Sequence, residues 1–340
     1  MALTTQQRIY IGLGVLAALG AGVYVNQKNE RQEQARLTAA TDKANLPEIK
    51  LAADDVDKVT KIEVKNADKP AVVLEKRGDK WFVAQPVDYP ANLTNVKSML
   101  DNLKEIKTKE LIDPAAASYP EYGLDEAKAV HVVAYKGGEK AFDAYFGKSG
   151  GRGQMARKAG QDGVYAISGY SAFYYTREVK NWRDNEIVKF DDAAVNRVDL
   201  KNESGEYVFK KEDDTWSATL KNAKLERFDE AKVKDMLRAF KSLNAEDFGD
   251  NKSDAEAGLD KPAALVTITP KEGAPVKLAV GKTSTGENRY LKREGNPQTY
   301  IVSSWAAGWT VAKPDRFQKP DDKKAAGASS AGAKDDKKKN

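Results

Sequence analysis

FGKSGGRGQM (Phe146 to Met155) and VGKTSTGENRY (Val280 to Tyr290) are two forms of one phrase: glycine and lysine, then a hydroxyl residue, then more glycine. The phrase suggests a phosphate cradle. Such a loop needs a further glycine five residues before the Gly-Lys-Ser, so that backbone N–H groups close around the phosphates. Phe142 and Val276 stand at that position, so both copies fail the test. The glycines read instead as a turn between two strands, where they permit positive φ. The recurrence carries more information than the phrase itself, because internal repetition defines an architecture before any single element does.

The offset between the two phrases extends, nearly constant, through the chain: Trp81 and Trp216, Gly123 and Gly258, and Tyr165 and Tyr300 are separated by one and the same interval. KIEVKN matches NRVDLKN, VVLEKRGDKWFV matches YVFKKEDDTWSA, and NVKSMLDNLKEIKTKEL matches KVKDMLRAFKSLNAEDF. YGLDEAKAVHVVAY matches AGLDKPAALVTITP, and DGVYAIS matches QTYIVSS. A period this long means tandem domains, since solenoid repeats run at roughly 20 to 50 residues. The expected organisation is an anchor over 1–27, a stalk over 28–56, repeat domains over 57–190 and 191–318, and a tail over 319–340.

Each repeat reads as α+β, a mainly antiparallel sheet with one main amphipathic helix. Alternating runs such as VTKIEVK and AVVLEK, followed by HVVAY, FDAYFG and VYAIS, predict strands, and the Gly-Asp and Asp-Asp steps before each tryptophan predict tight hairpin turns. Leu93, Val96, Leu100, Leu103 and Ile106 form one apolar stripe at helical spacing, and Val233, Met236, Leu237 and Phe240 form the other. Gly123-Leu124-Asp125 and Gly258-Leu259-Asp260 mark turns back into a strand, and Gly147 and Gly281 mark the glycine turns. A short aromatic helix closes each repeat, SAFYYTREVKNW in the first and SSWAAGWTV in the second.

IYIGLGVLAALGAGVYV, Ile9 to Val25, holds no charge anywhere along its length, which sits at the short end of what a membrane-spanning helix needs. It reads as an uncleaved anchor rather than a signal peptide, because the apolar run continues past the poor small-residue site at Ala18-Leu19-Gly20. The charge count of the flanks places the body in the cytoplasm, with Arg8 before the span and Lys28, Arg31, Arg36 and Lys43 after it. A lone N-terminal anchor before a large strand-rich body argues the reverse, and the expectation is a single-pass inner-membrane protein with its body in the periplasm. Gly14, Ala18 and Gly22 fall four apart and would let two such helices approach closely, so self-association is a candidate. The absence of cysteine excludes a lipid-anchored lipoprotein and any disulfide.

The net charge of +5 does not describe a basic surface, because residues 319–340 carry seven lysines against four aspartates. That tail has almost nothing to bury, and a nucleic-acid partner loses its electrostatic basis. Chemistry is equally sparse. The single histidine, His131, has Val266 as its counterpart at the same offset, and with one histidine and no cysteine the common zinc sites and histidine-dependent nucleophiles cannot be assembled. Asp213 and Asp214 read as turn formers, and Asp54, Asp55, Asp57, Asp191 and Asp192 as solvated linker charge. No catalytic residue, metal ligand or cofactor site is expected. The surplus lies in the aromatics Tyr165, Tyr170, Phe173, Tyr174, Tyr175 and Trp182. Their density suits core packing, with Trp305 and Trp309 as second-repeat equivalents; Tyr170, Tyr174 and Tyr175 are the candidate interaction residues.

At YGLDEAKAVHVVAY, AGLDKPAALVTIT, GKSGGRGQM and GKTSTGENRYLKREGNPQTYIVSS the chain resembles the bacterial domain-of-unknown-function 4340 family. That resemblance implies an envelope protein, often in tandem behind a membrane anchor and encoded beside ABC-transporter components of the gliding-motility type. It therefore implies an accessory or scaffold subunit contacting integral-membrane transporter subunits, and no catalytic residues carry over. A cell-wall glycan- or lipid-binding module is the alternative that the aromatics suggest.

Overall fold

The structure, a computed structural model, describes residues 23–25, 27–30 and 46–320. The Gly14, Ala18 and Gly22 stripe, most of the apolar run and residues 321–340 lie outside it. Among the described residues no helix is long and apolar enough to cross a membrane. The chain divides into two compact units at Asp184 and Asn185.

In the first unit the elements follow as β1 (Lys61–Asn66), β2 (Lys69–Arg77), β3 (Lys80–Gln85), β4 (Tyr89–Pro90), α1 (Leu93–Glu105) and β5 (Lys107–Asp113). The short helix α2 (Tyr119–Tyr122), β6 (Val130–Lys136), β7 (Glu139–Gly150), β8 (Gly153–Lys158), β9 (Val164–Ser168) and α3 (Val179–Trp182) complete it. Every strand pairing is antiparallel, in the order β4-β3-β2-β1-β6-β7-β8-β9-β5. Alternation decides the faces, as a pleated strand requires: Ile62 and Val64 of β1, Leu74 of β2, Val83 of β3 and Val132 and Ala134 of β6 point into one core. Helix α1 covers that core with Val96, Met99, Leu100 and Leu103. Its start is set by Asn92, whose side chain accepts a hydrogen bond from the Asn95 N–H. Leu93, expected on the buried stripe, is exposed instead, because it is the first helical residue and precedes the turn that meets the sheet.

The second unit comprises β10 (Glu186–Lys189), β11 (Val195–Asn202), β12 (Gly205–Glu212), β13 (Thr215–Leu220), β14 (Ala223–Lys224), α4 (Glu230–Phe240), β15 (Ser242–Asn244) and β16 (Asp247–Phe248). It continues through α5 (Asp254–Ala257), β17 (Ala264–Pro270), β18 (Val276–Thr283), β19 (Arg289–Arg293), β20 (Thr299–Val302) and α6 (Ser304–Thr310). Its main sheet runs β14-β13-β12-β11-β17-β18-β19-β20-β16, strand for strand the order of the first, and β10 pairs with β15 in a separate ribbon. Helix α4 buries Val233, Met236, Leu237, Ala239 and Phe240.

Both units begin earlier than the sequence predicts. Ile49 and Leu51 belong to the first core, and Ile187 and Val188 to the second. The Leu51 N–H donates to the Leu103 carbonyl at the end of α1, and the Phe190 N–H donates likewise to Lys241 beyond α4. Each lead-in sets its few apolar residues among charges, too sparsely for a periodicity to show. The expected stalk therefore loses its final part, from Leu46 onward, to the first unit. Asp55 is no free linker charge, since it accepts a hydrogen bond from Lys136 of β6 at 2.9 Å. Asp191 caps a turn through the Ala193 N–H.

Asp213 and Asp214 are turn formers, as expected, and hold φ values of 45° and 65° between β12 and β13. Two consecutive left-handed residues make the tight hairpin turn that favours Asn-Gly. Asp214→Gly is expected to raise the melting temperature by about 2 °C by relieving that backbone cost; a scanning calorimetry trace with an unchanged or lower midpoint would contradict it.

Candidate functional site

The first glycines of the two Gly-Lys phrases are not in turns, contrary to expectation. Gly147 lies within β7 and Gly281 within β18. The chain turns later, at Gly151-Arg152 between paired Gly150 and Gly153 in the first unit. Gly123 and Gly258 do end short helices in the left-handed conformation, at φ 66° and 69°. Each of those caps rests on the strand glycine of its own unit: a Cβ on Gly147 would stand 2.3 Å from the Tyr122 carbonyl oxygen, and one on Gly281 would stand 2.1 Å from that of Ala257. The Gly-Leu-Asp and Gly-Lys-Ser/Thr phrases are thus the two halves of one backbone contact.

His131 sits on the outer face of the first sheet. Strand pairing sets Lys65 opposite His131, His131 opposite Tyr145, and Tyr145 opposite Arg157. The imidazole stacks on the Tyr145 ring, with centroids 3.9 Å apart and planes within 3°, and the Arg157 guanidinium lies 3.4 Å from the same ring centre. His131 Nε2 is 2.8 Å from Asp143 Oδ1, and Lys140 Nζ donates to Asp143 Oδ2 at 2.7 Å. A carboxylate only accepts, so Nε2 carries the proton. The counterpart of His131 in the second unit is Leu265, not Val266. Leu265 faces Lys201 and Ala279 as His131 faces Lys65 and Tyr145, while Val266 matches buried Val132. The offset is not uniform along the repeat: Ile62 of β1 answers to Val198 of β11, whereas Val132 of β6 answers to Val266 of β17, a shorter interval. A single-residue slip inverts the face of a strand.

Burial pushes the Asp143 carboxyl up, but hydrogen bonds and charge from Lys140 and His131 outweigh it and hold it below the ordinary aspartate value. A depressed carboxylate stabilises the fold above its unfolded value, near pH 4, and that contribution disappears as pH falls through the lower folded value. Asp143→Asn is expected to cost about 0.5–1 kcal/mol at pH 6, the solvent-screened worth of such a network. The difference from the parent should shrink below about pH 4, read as urea midpoints against pH; a pH-independent difference would remove the electrostatic account.

Arg157 also donates through Nε to the Leu124 carbonyl at 2.9 Å, and Tyr145 joins Leu124, Ala129, Met155, Val164 and Ala166 in a small buried cluster on this face. Among the described residues no three His, Cys, Asp or Glu side chains gather as a metal site.

The closing segment of the first unit is a different kind of surface. It is a 3-10 turn (Ala172–Tyr174) and α3 rather than one aromatic helix. Asn102 of α1 fastens it, accepting from the Ser171 N–H and the Tyr175 hydroxyl at 3.2 and 2.9 Å and donating to the Gly169 carbonyl at 2.7 Å. Asn66 donates to the Tyr175 carbonyl, Asn95 to that of Asn181, and the Asn92 N–H to that of Trp182. Of the three candidate interaction tyrosines, Tyr175 is a core residue with no exposed surface, because its ring fills the space over Phe146 and under Tyr170. Tyr170 is half-buried, stacked at 4.2 Å on Phe146 and 4.9 Å on Tyr175. Burial raises both phenols above the usual tyrosine range. Tyr174 is half-buried against the same core.

The residue that segment presents to solvent is Phe173, 66% exposed, edge-on to Tyr174 at 5.6 Å. The Arg177 guanidinium lies over the Phe173 ring at 4.2 Å, with the Tyr174 and Trp182 rings at 5.9 and 5.7 Å. Sequence reasoning missed Arg177, since nothing local distinguishes it from any surface arginine. In the second unit Trp309 and Phe317 are buried, but Trp305 is 57% exposed and is no core equivalent. Asn202 repeats the role of Asn66 by donating to the Thr310 and Ala312 carbonyls, each at 3.0 Å.

An antiparallel nine-stranded sheet with one covering helix and a side-chain-stapled closing segment, present in each unit, defines an α+β protein. The family model for Domain of unknown function (DUF4340) matches residues 81–262, more than half of the 340-residue chain, and the chain belongs to that family. No curated protein and no solved structure matches it.

Proposed function

We propose that this chain is a non-enzymatic, membrane-anchored envelope protein, an accessory or scaffold subunit of an ABC-type transport or gliding-motility-related complex. Its units are tandem copies of one domain, held to the inner membrane by the N-terminal apolar run, with Gly14, Ala18 and Gly22 available for helix pairing and the body in the periplasm. The observation that supports partner contact is the closing segment: rigidly stapled backbone that nonetheless presents Phe173 and, in the second unit, Trp305 to solvent. Exposed aromatics on a rigid frame are the composition of protein-contact hot spots.

The test is capture of tagged full-length protein from native membranes in mild detergent. Permease and ATPase subunits are expected to co-purify, and to be lost when residues 1–27 are exchanged for an unrelated anchor. Sedimentation with cell-wall or lipid material and no transporter subunits would replace this reading with a glycan- or lipid-binding one, in which Phe173 and Trp305, rather than Tyr175, are the stacking residues.

A further inference from the structure

Among the described residues Arg177 has no anionic partner. Its Nε is fully buried with no acceptor, and no described residue reaches its guanidinium with a hydrogen bond or ion pair. Guanidinium stays protonated at any physiological pH and offers five N–H donors in a planar fork. Arg177 is only partly buried, so its outer Nη groups stay open to solvent while the buried Nε donor is unpaired, which is unfavourable. The rings of Phe173, Tyr174 and Trp182 hold it in place electrostatically but accept no N–H in the plane of the fork. The second unit shows the satisfied version: Arg316 lies 4.0 Å over Trp309 and donates through Nη1 to the Gly308 carbonyl at 3.0 Å. The first unit has the aromatic seat without the acceptor, beside the exposed ring of Phe173.

The geometry points to Arg177 and Phe173 as a docking site for a partner protein segment in which an aspartate or glutamate adjoins an apolar residue, the carboxylate taken by the guanidinium fork and the apolar side chain seated on Phe173. This rests on the protein-contact reading above and names the partner chemistry. A carboxylate can take the two outer Nη groups bidentately. A nucleic acid or anionic membrane would call for many cations, whereas here one cation adjoins an apolar ring, and the excess positive charge of the chain lies largely in residues 319–340.

The experiment uses the full-length chain in mild detergent and fluorescently labelled, terminally blocked octapeptides bearing an Asp-Glu pair beside Phe, with Asn-Gln versions as controls. Anisotropy should show saturable, salt-weakened binding of the acidic peptide. At least a tenfold loss is expected with the amide peptide, with Arg177→Gln and with Phe173→Ala. Because Met preserves the packing of the arginine stem while removing the unpaired charge, Arg177→Met should match or exceed the parent melting temperature and still lose the peptide. Equal binding of acidic and amide peptides, undiminished binding by Arg177→Gln, or no binding of any peptide overturns the assignment. So does a fall of several degrees in Arg177→Met, which would make Arg177 structural. Arg177-dependent binding to vesicles containing phosphatidylglycerol, without peptide binding, overturns it in favour of a lipid. Transporter capture is scored separately on the unsubstituted chain. Its failure with peptide binding intact removes the transporter reading alone, and peptide failure with capture intact removes the docking site alone.

Discussion

Gly281→Ala and Gly147→Ala are expected to be among the most damaging alanine substitutions in the described residues. The added methyl carbon would stand 2.1 Å from the Ala257 carbonyl oxygen in one case and 2.3 Å from that of Tyr122 in the other. Neither obstacle is a flexible side chain: each is backbone at the end of a helical turn whose next residue, Gly258 or Gly123, is held left-handed. Relief requires the strand and the cap to part, breaking the contact that seats the 119–129 or 254–263 excursion. Overpacking costs about 1–3 kcal/mol, and a rigid backbone obstacle puts these two sites near the upper end, about 3 kcal/mol. That corresponds to roughly 10 °C for a unit of this size. The control lies in the same phrase: a Cβ on Gly151 would meet nothing within 4 Å, and its φ is not left-handed. Gly151→Ala should therefore shift the melting point by no more than about 2 °C. If the phrase were only a turn, the order of the two effects would reverse. Calorimetry of Gly147→Ala against Gly151→Ala decides between these accounts, and equal midpoints would refute the close-approach one.

Trp182→Ala should be nearly as costly. Trp182 is wholly buried in the first core, and its carbonyl accepts from the Asn92 N–H at 2.8 Å, which ties the last turn of the unit to the start of α1. Loss of a buried indole removes transfer free energy and leaves a cavity, together about 3–5 kcal/mol. Phe317 closes the second unit in the same way, fully buried and accepting from the Asp229 N–H at 2.9 Å, so Phe317→Ala should destabilise that unit comparably. A subtler variant separates packing from polarity. The indole N–H of Trp182 has no acceptor among the described residues, so Trp182→Phe removes an unpaired buried donor and should cost less than about 1.5 kcal/mol. Urea denaturation monitored by hydrogen exchange in α1 and α4 reports each unit separately. A Trp182→Ala shift no larger than that of exposed Phe173→Ala would show that the closing segment does not hold the unit together.

The boundaries expected from sequence err in one consistent way. The lead-in around Leu46 to Leu51 falls in the expected stalk, and that from Asn185 to Phe190 in the expected first repeat, because each holds too few apolar residues for the alternation of a strand to register. Strands β5 and β8 escape for a related reason. Lys107–Asp113 forms a sheet edge whose pairing with β9 is interrupted at two places, and such bulges shift side chains out of strict alternation. The aromatic segment is a different case. The aromatics crowded between Tyr170 and Trp182 announce burial or binding, but which ring faces which way depends on where Asn66, Asn95 and Asn102 pin the backbone.

What the amino-acid sequence determined alone is whatever depends on near neighbours: the α+β class, the α1 and α4 stripes, the hairpin turns at Gly78 and Asp213-Asp214, and a repeating order of elements. Those signals are local because a helix period and a strand period each require only a few consecutive residues. The tertiary structure alone decided the rest. It set His131 against Tyr145 and Asp143 and matched it to Leu265 through strand register. Within each unit it set the Gly-Leu-Asp cap against the strand glycine of the Gly-Lys phrase, and it buried Tyr175, exposed Phe173, and left Arg177 without an anion among the described residues. Each of these depends on chain segments meeting across long sequence separations, where a one-residue change of register turns a side chain from core to solvent.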